Sequence, residues 1–209
     1  MFKPRTIAVV VAMAVASSAA LASSAATAAA AGWMVGGSTL TTGASEKLAL
    51  TTKVDETFVL SAAGTTITCT GIKVENGELI APNKDSETLV FTGCTVNIPE
   101  CTVKNGEIAT KVLLSEATLE GALAANIQFK PETGTRFAEI EFSGVECAVE
   151  LLPVTGTTRA LAPTGQDERT LQLLTAKTSP GELRLGSAEA TLKGSTLVEV
   201  ECHEPWRLL

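Results

Sequence analysis

The sequence predicts an all-β fold, a single antiparallel β-sandwich or flattened barrel built with hairpins and glycine bulges. Short segments rich in Thr, Val, Ile and Phe alternate between apolar and polar residues, which is the pattern of strands with one buried face. Gly, Pro and Asn separate these segments at short intervals, whereas amphipathic helix patterns are scarce. Many short strands joined by tight turns are typical of sandwiches and barrels.

Five segments carry the clearest alternation, and each predicts a strand. In chain order their apolar positions are Leu48 and Leu50, Ile67 and Cys69, Ile127 and Phe129, Ile140 and Phe142, and Val198, Val200 and Cys202. The stretch from Ser115 to Asn126 comes nearest to a helical pattern, but Gly121 in its middle weakens a helix. We therefore expect strand and turn in that stretch.

Four turns are expected between these strands. Asn76-Gly77 and Asn105-Gly106 each separate two apolar runs, and Asn-Gly suits the positive φ angles of a type I′ hairpin. The segment from Phe129 to Phe137 predicts a longer hairpin loop, and Ser179-Pro180-Gly181 predicts a further turn.

One eight-residue pattern recurs, beginning at residues 67, 89 and 140 (ITCTGIKV, LVFTGCTV and IEFSGVEC). In the three copies Gly71, Gly93 and Gly144 shift the apolar alternation by one position, as a β-bulge does. Such bulges would leave Cys69 and Cys147 facing one core. The spacings of 22 and 51 residues also fit a short β-solenoid, the alternative fold. The sandwich is preferred because Asn-Gly hairpins reverse the chain and a solenoid rung does not.

Residues 1–31 have the pattern of a secretory signal peptide, and residues 32–209 are expected to form one all-β domain. Two basic residues precede nine apolar residues, Ile7 to Val15, which are enough for a signal core but too few to span a bilayer. Cleavage is expected near Ala22 or Ala31, where small residues surround the site. The domain would then be extracellular or associated with the cell surface, with no membrane insertion after cleavage.

The expected mature domain is acidic. Cleavage removes Lys3 and Arg5, which leaves 14 basic and 23 acidic residues, a net charge of −9 in place of −7. This balance, without any run of basic residues, opposes binding to nucleic acid or to anionic lipid, since both present phosphates. Only Asp55, Asp85 and Asp167 among the acids are aspartates, so a calcium loop is not expected.

Five cysteines lie beyond the signal, and none forms a C-x-x-C motif, so export predicts disulfides rather than a redox or zinc site. Cys94 and Cys101 are close in sequence and predict one pair. Cys69 and Cys147 predict the second pair because both face inward in the expected register. Cys202 is then unpaired, or links two chains in a dimer.

No catalytic, cofactor-binding or metal-binding residue is assigned. His203 is the only histidine and is expected to be an exposed side chain near the C-terminus. Glu139 and Glu141 form an i, i+2 pair, as do Glu199 and Glu201, and their alternation with apolar residues places them on solvated strand faces. A carboxylate-based hydrolase would have to use such a pair.

Two further features bear on binding. Trp33 and Trp206 would be needed for an aromatic sugar platform, but packing in the core or at an edge is expected for both. Residues 95–100 lie between Cys94 and Cys101, and a disulfide between those cysteines would present Ile98-Pro99 rigidly, as in a protease inhibitor.

The chain resembles a group of uncharacterised exported proteins of high-GC actinobacterial type. The resemblance rests on Trp33 after an Ala-rich signal, Ile67-Thr68-Cys69, Phe91-Thr92-Gly93-Cys94-Thr95, Cys101 with Gly106-Glu107-Ile108, and Gly144-Val145-Glu146-Cys147. It implies secretion, an all-β fold and two disulfides from four cysteines, and it implies no activity. Cys202 has no counterpart in that pattern.

The sequence therefore predicts an exported, non-catalytic β-domain. Its role would be to bind an unknown protein or envelope ligand, or to contribute structure to the cell envelope. A secreted carboxylate-based hydrolase and a protease inhibitor that uses the Cys94–Cys101 loop are the alternatives.

Overall fold

The computed structural model describes residues 32–52, 56–120, 124–163 and 170–209. The expected signal peptide, and Gly121, Asp55 and Asp167, lie outside the described residues. The described elements are short strands and one 3-10 turn. They are β1 (Trp33–Val35), β2 (Ser38–Thr39), β3 (Ser45–Thr52), β4 (Phe58–Ala62), β5 (Thr65–Cys69), β6 (Gly71–Ile80), β7 (Lys84–Thr92), β8 (Thr95–Val96), β9 (Thr102–Val103), η1 (Lys104–Gly106), β10 (Glu107–Ala109), β11 (Leu113–Leu119), β12 (Ala124–Pro131), β13 (Arg136–Ser143), β14 (Leu151–Gly156), β15 (Thr158–Pro163), β16 (Gln172–Ala176), β17 (Leu183–Leu185), β18 (Ala188–Lys193), β19 (Ser195–Val200) and β20 (Trp206–Leu208).

Eight of the described strands close into a barrel. They follow the order β7-β11-β12-β15-β16-β19-β3-β6, and β6 pairs again with β7 to complete the ring, while β10 adds to the free part of β7. A second sheet has the order β8-β5-β4-β18-β17-β14-β13-β9. The pairings in both sheets are antiparallel, so the all-β sandwich or barrel is confirmed and the parallel coil of a solenoid is not the arrangement seen.

The barrel and the second sheet share one hydrophobic core. Phe58 of β4 in the second sheet meets Phe91 of β7 in the barrel edge to face, with ring centroids 5.4 Å apart. Apolar side chains that alternate along each strand supply this core, and burying them is the main favourable contribution to folding. Its largest fully buried members in the described residues are Trp33, Ile67, Leu79, Leu113, Ile127, Ile140, Leu183 and Val200.

A small third sheet joins the two ends of the described chain. In it β1 pairs with β2 on one side and with β20 on the other, so that Trp33 lies opposite Leu208. Trp33 and Trp206 pack edge to face at 5.9 Å, and both are buried. The backbone N–H of Trp33 also donates to Pro82 O at 2.8 Å, which ties this sheet to the turn before β7.

Two of the three repeated glycines, Gly71 and Gly93, mark crossings between the sheets, and none of the three forms a bulge within a strand, so the bulge prediction is wrong. Gly71 begins β6 in the barrel directly after β5 of the second sheet, and Gly93 separates β7 of the barrel from β8 of the second sheet. At Gly93 φ is +61° and a Cβ atom would lie 2.2 Å from Thr70 Oγ1, so a side chain cannot be placed there without displacing its neighbours. Gly144 follows the end of β13.

The prediction that Asn76-Gly77 and Asn105-Gly106 each form a hairpin is also wrong. Asn76-Gly77 lies inside β6, where the register against β7 shifts between Glu75 and Glu78, and Asn76 has φ of +53°. Asn76-Gly77 therefore forms a β-bulge within β6 and not a hairpin turn, because the strand continues on both sides of it. Asn105-Gly106 makes a turn with φ of +58° and +63°, but β9 before it pairs with β13 and β10 after it pairs with β7. The turn therefore carries the chain from one sheet to the other.

The loop between Phe129 and Phe137 is another crossing between the sheets and not a hairpin. β12 pairs with β11 and β15 in the barrel, whereas β13 pairs with β14 and β9 in the second sheet. The turn at Ser179-Pro180-Gly181 is confirmed, with Glu182 N bonded to Ser179 O. Strand is also confirmed over β11, where the sequence comes nearest to a helical pattern.

Candidate functional site

The two disulfides join the four cysteines in a different pairing from the one expected. Cys69 is bonded to Cys94, and Cys101 to Cys147, so the predicted Cys94–Cys101 and Cys69–Cys147 bonds are wrong. The physical reason is the crossing at Gly93, which carries Cys94 beside the end of β5, where Cys69 lies. Cys202 is free and exposed, in the turn between β19 and β20.

The Cys101–Cys147 disulfide fixes the segment between β13 and β14. The segment of residues 144–151, here called the stapled loop, ends on the first residue of β14 and is fixed by the disulfide from Cys147 to Cys101 and by the backbone bond from Phe142 N to Glu150 O at 2.8 Å. Gly144 lies against the backbone of Glu100 and Cys101, since a Cβ atom on it would be 2.0 Å from Glu100 O. The stapled loop is therefore held to a rigid base at both of its ends.

The stapled loop exposes apolar side chains to solvent. Val145 is 83% exposed, Val149 45% and Leu151 49%, which are three of the six large apolar side chains described as exposed. Glu146 and Glu150 alternate with them in the same loop, and Glu150 is exposed as well. Clustered exposed apolar residues on a small domain commonly mark an interaction site.

Residues 95–100 are fixed to the second sheet instead of projecting from it. Asn97 donates from Nδ2 to Gly64 O at 2.9 Å and accepts at Oδ1 from Thr66 N at 2.8 Å. Ile98 packs against the core. This segment is thus the base of the stapled loop, without the closed disulfide ring on which the inhibitor hypothesis depends.

Glu139 and Glu141 line a surface groove of about 440 Å³, together with Lys104 and Lys111. Each carboxylate has a cationic partner: Lys104 Nζ lies 2.6 Å from Glu141 Oε2, and Lys111 Nζ lies 3.4 Å from Glu139 Oε2. Arg136 also contacts Glu139. The hydrogen bond to Glu141 raises the pKa of Lys104, so this side chain stays charged.

Glu199 and His203 are in contact near the C-terminus. His203 Nδ1 lies 3.2 Å from Glu199 Oε2, and the histidine side chain is 73% exposed, as expected. Glu201 is exposed, whereas Glu199 is mostly covered. The tryptophans that a sugar platform would need are both buried, so they present no face to a ligand at the surface.

Two acidic residues that the sequence did not single out lie inside the barrel. Asp85 and Glu87 occupy inward positions of β7, and both are 4% exposed. Ser115 of β11 stands directly opposite Asp85 in the ladder and is also buried. The signal was present in the sequence: Asp85 and Glu87 share the parity of Leu89 and Phe91, which faces the core.

The two carboxyls line a cavity of about 80 Å³ whose walls are mostly apolar. Leu89, Phe91, Ile127, Phe129 and the two tryptophans are among the side chains around it. Arg159 is the only cationic side chain among the described lining residues, and its Nε lies 2.6 Å from Glu182 Oε1.

Burial changes how this acidic pair titrates. Loss of solvation raises the pKa of Asp85 to about 6, although Ser115 and Glu87 beside it act in the opposite direction. Burial raises the pKa of Glu87 well above its usual range, and the charge of Asp85 adds to that effect. The pair therefore holds a proton at pH values where exposed carboxyls have lost theirs.

No protein-family model, curated protein or solved structure matches this chain. Among the described residues, no three His, Cys, Asp or Glu side chains are grouped so that they would hold a metal ion. The part of the chain that the structure describes contains no helix with the length and apolar character to cross a membrane.

Proposed function

We propose that the chain is an exported, non-catalytic domain that binds a partner protein through the stapled loop. The observation that carries this proposal is the exposure of Val145, Val149 and Leu151 on a loop that a disulfide and a backbone hydrogen bond fix in place. A pre-ordered loop loses little conformational entropy on binding, so its apolar contacts contribute more fully to affinity.

The charges around the loop indicate what kind of partner fits. Glu100 and Glu150 are exposed beside the apolar residues, and the expected mature domain carries a net charge of −9. The complementary surface is an apolar protein patch bordered by Lys or Arg, because opposite charges at the rim speed encounter and disfavour wrong partners. We place this domain among the exported proteins of high-GC actinobacterial type that it resembles, and at the cell surface or outside the cell. Its two disulfides are compatible with that location.

The test uses protein purified after expression of the full chain to capture binding partners from cell-envelope fractions. Mass spectrometry under non-reducing conditions then identifies the captured proteins. Val145→Asp should abolish capture, and Val112→Asp should not, because Val112 is also exposed but belongs to the segment before β11. A partner captured equally by both variants would contradict the proposal. A partner released only by reductant and lost in Cys202→Ser would instead identify Cys202 as the attachment point, as in a disulfide-linked dimer.

Export itself is tested by the intact mass of the protein recovered outside the cell. We expect a mass that begins after Ala22 or Ala31. A mass that retains Met1 would overturn the export part of the proposal.

A carboxylate-based hydrolase is the second candidate, and the groove lined by Glu139 and Glu141 is the observation that favours it. A broad panel of hydrolase substrates separates the two functions. Turnover that disappears in Glu139→Gln or Glu141→Gln, and persists in Glu199→Gln, would show that the domain is a hydrolase and would contradict the proposed non-catalytic binding function.

A further inference from the structure

The acidic pair in the barrel leaves polar atoms without partners in a place that water does not freely reach. Asp85 Oδ1, Glu87 Oε1 and Ser115 Oγ are buried and have no hydrogen bond of normal geometry to a described residue, although Ser115 and Glu87 lie close enough to Asp85 to influence its pKa. A buried polar atom without a partner costs about 1–3 kcal/mol, and more for a charged group. The side chains that carry these atoms lie on neighbouring strands, with Ser115 directly opposite Asp85 and Glu87 two residues farther along β7.

We propose that this cavity binds a small primary ammonium ion, R–NH₃⁺, with its nitrogen at the carboxyls of Asp85 and Glu87. A primary ammonium group has three N–H donors, and Asp85 Oδ1 and Glu87 Oε1 are two unpartnered acceptors on residues that line the cavity. Its positive charge would allow both carboxyls to be ionised together, which burial otherwise opposes.

The rest of the cavity fits a short hydrocarbon group on that nitrogen. The other walls are largely apolar and include Ile127, Phe129 and Leu89. The volume of about 80 Å³ is roughly half of the 150 Å³ of an engineered protein cavity that holds benzene. Methylammonium and ethylammonium are therefore within the size limit, and a long or branched amine is not.

A divalent metal ion fits this site less well than an ammonium ion. Calcium takes six to eight oxygen ligands and magnesium requires a near-ideal octahedron, whereas this site offers two unpartnered carboxyl oxygens in an apolar surrounding. Arg159 does not neutralise the site, because its guanidinium is paired with Glu182. The acidic pair is thus left without a cation of its own among the described lining residues.

The experiment is calorimetric titration of the purified protein with methylammonium chloride and ethylammonium chloride. Sodium chloride and tetramethylammonium chloride are the controls for ionic strength and charge without N–H donors, and ethanol is the uncharged control. We expect saturable binding and a higher melting temperature with the two primary ammonium ions only. Because burial makes the acidic pair hold a proton before the ammonium ion binds, binding near neutral pH should also release protons to the solvent.

Two variants locate the site. Glu87→Gln keeps the side-chain volume and should weaken binding about tenfold or more, which is the loss expected for one charged hydrogen bond. Glu116→Gln removes an exposed acid on β11 next to Ser115 and should leave binding unchanged. Equal responses to methylammonium and tetramethylammonium, no response to either, or full binding by Glu87→Gln would each overturn the proposal. The comparison of salts uses the unaltered protein, so it decides the question even if a variant fails to fold.

Discussion

Asp85 and Glu87 illustrate how a single inward position changes the chemistry of an ordinary residue. On an outward position of β7 they would be solvated acids, but within the barrel they line an apolar cavity. The resulting rise in the pKa of both carboxyls couples folding to pH. The folded protein binds protons that the unfolded chain releases.

We expect the free energy of unfolding to fall as pH rises from about 4 to about 7. The sign follows from the direction of the shift: an acid with a raised pKa in the folded state stabilises the fold while protonated, and that stability is lost as pH rises through the folded pKa. A shift from 3.8 to about 6 corresponds to a loss of about 2–3 kcal/mol. Urea unfolding at a series of pH values measures it.

Asp85→Asn should make this decline shallower and be more stable than the wild type at neutral pH, while Glu87 retains the part of the decline that its own burial causes. Glu116→Gln, which replaces an exposed acid, should retain the wild-type slope. A wild-type stability that rises over this pH range would show that the acidic pair is not buried as described.

Gly144→Ala should cost about 3 kcal/mol or more of folding stability. Gly144 has φ of +137°, which is accessible mainly to glycine, and a Cβ atom would lie 2.0 Å from Glu100 O. Gly134→Ala is the matched control, because Gly134 also has positive φ but a Cβ atom there would have no neighbour within 4 Å. We expect that control to cost only about 1 kcal/mol in thermal or urea unfolding. Equal costs at the two positions would contradict the close contact between the loops.

At the scale of elements, strand identity follows from alternation but strand pairing does not. The segments around Ile67, Ile127, Ile140 and Val198 are each strands, as their alternation predicts. The expected hairpins at Asn105-Gly106 and at residues 129–137 are wrong, because each connection joins strands of different sheets. The alternation of apolar residues predicts which side chains of a strand are buried. It does not predict which other strand it pairs with.

The disulfide pairing gives a prediction at this scale. Removing one bonded pair, as in Cys69→Ala with Cys94→Ala, should cost about 3–4 kcal/mol on the loop-entropy estimate for a separation of 25 residues. Removing Cys69 and Cys147 instead breaks both disulfides and should cost about twice as much. Urea unfolding compares the two double variants. Non-reducing peptide mapping that finds Cys94 joined to Cys101 would refute the pairing.

At the scale of the whole molecule, the two tryptophans bring the two ends of the described chain together. Trp206 is buried, donates from Nε1 to Val198 O at 3.2 Å, and accepts at its carbonyl from Gln172 Nε2 at 2.7 Å. Through β1 and β20, the first and last described segments are held side by side against the barrel. The contact between Trp33 and Trp206 joins residues far apart in sequence, so it forms only when the intervening strands are in place.

Trp206→Ala should destabilise the protein by about 3–5 kcal/mol, the usual cost of deleting a buried aromatic side chain. Leu209→Ala should have little effect, because the Leu209 side chain is exposed and its backbone bonds to Gly32 are retained. Urea unfolding followed by circular dichroism measures both variants. Similar stabilities for both would mean that the terminal sheet is not part of the cooperative fold.

By itself, the sequence determined the all-β class, most strand positions, and the exposure of His203 and Glu141. Those properties depend on the period of apolar residues along each strand, which can be read from neighbours in the chain. Only the tertiary structure decided the closed barrel, the partners of the cysteines, and the enclosure of Asp85 and Glu87. These depend on contacts between residues far apart in sequence, and one glycine crossing, such as that at Gly93, is enough to redirect a strand and its cysteine to another sheet.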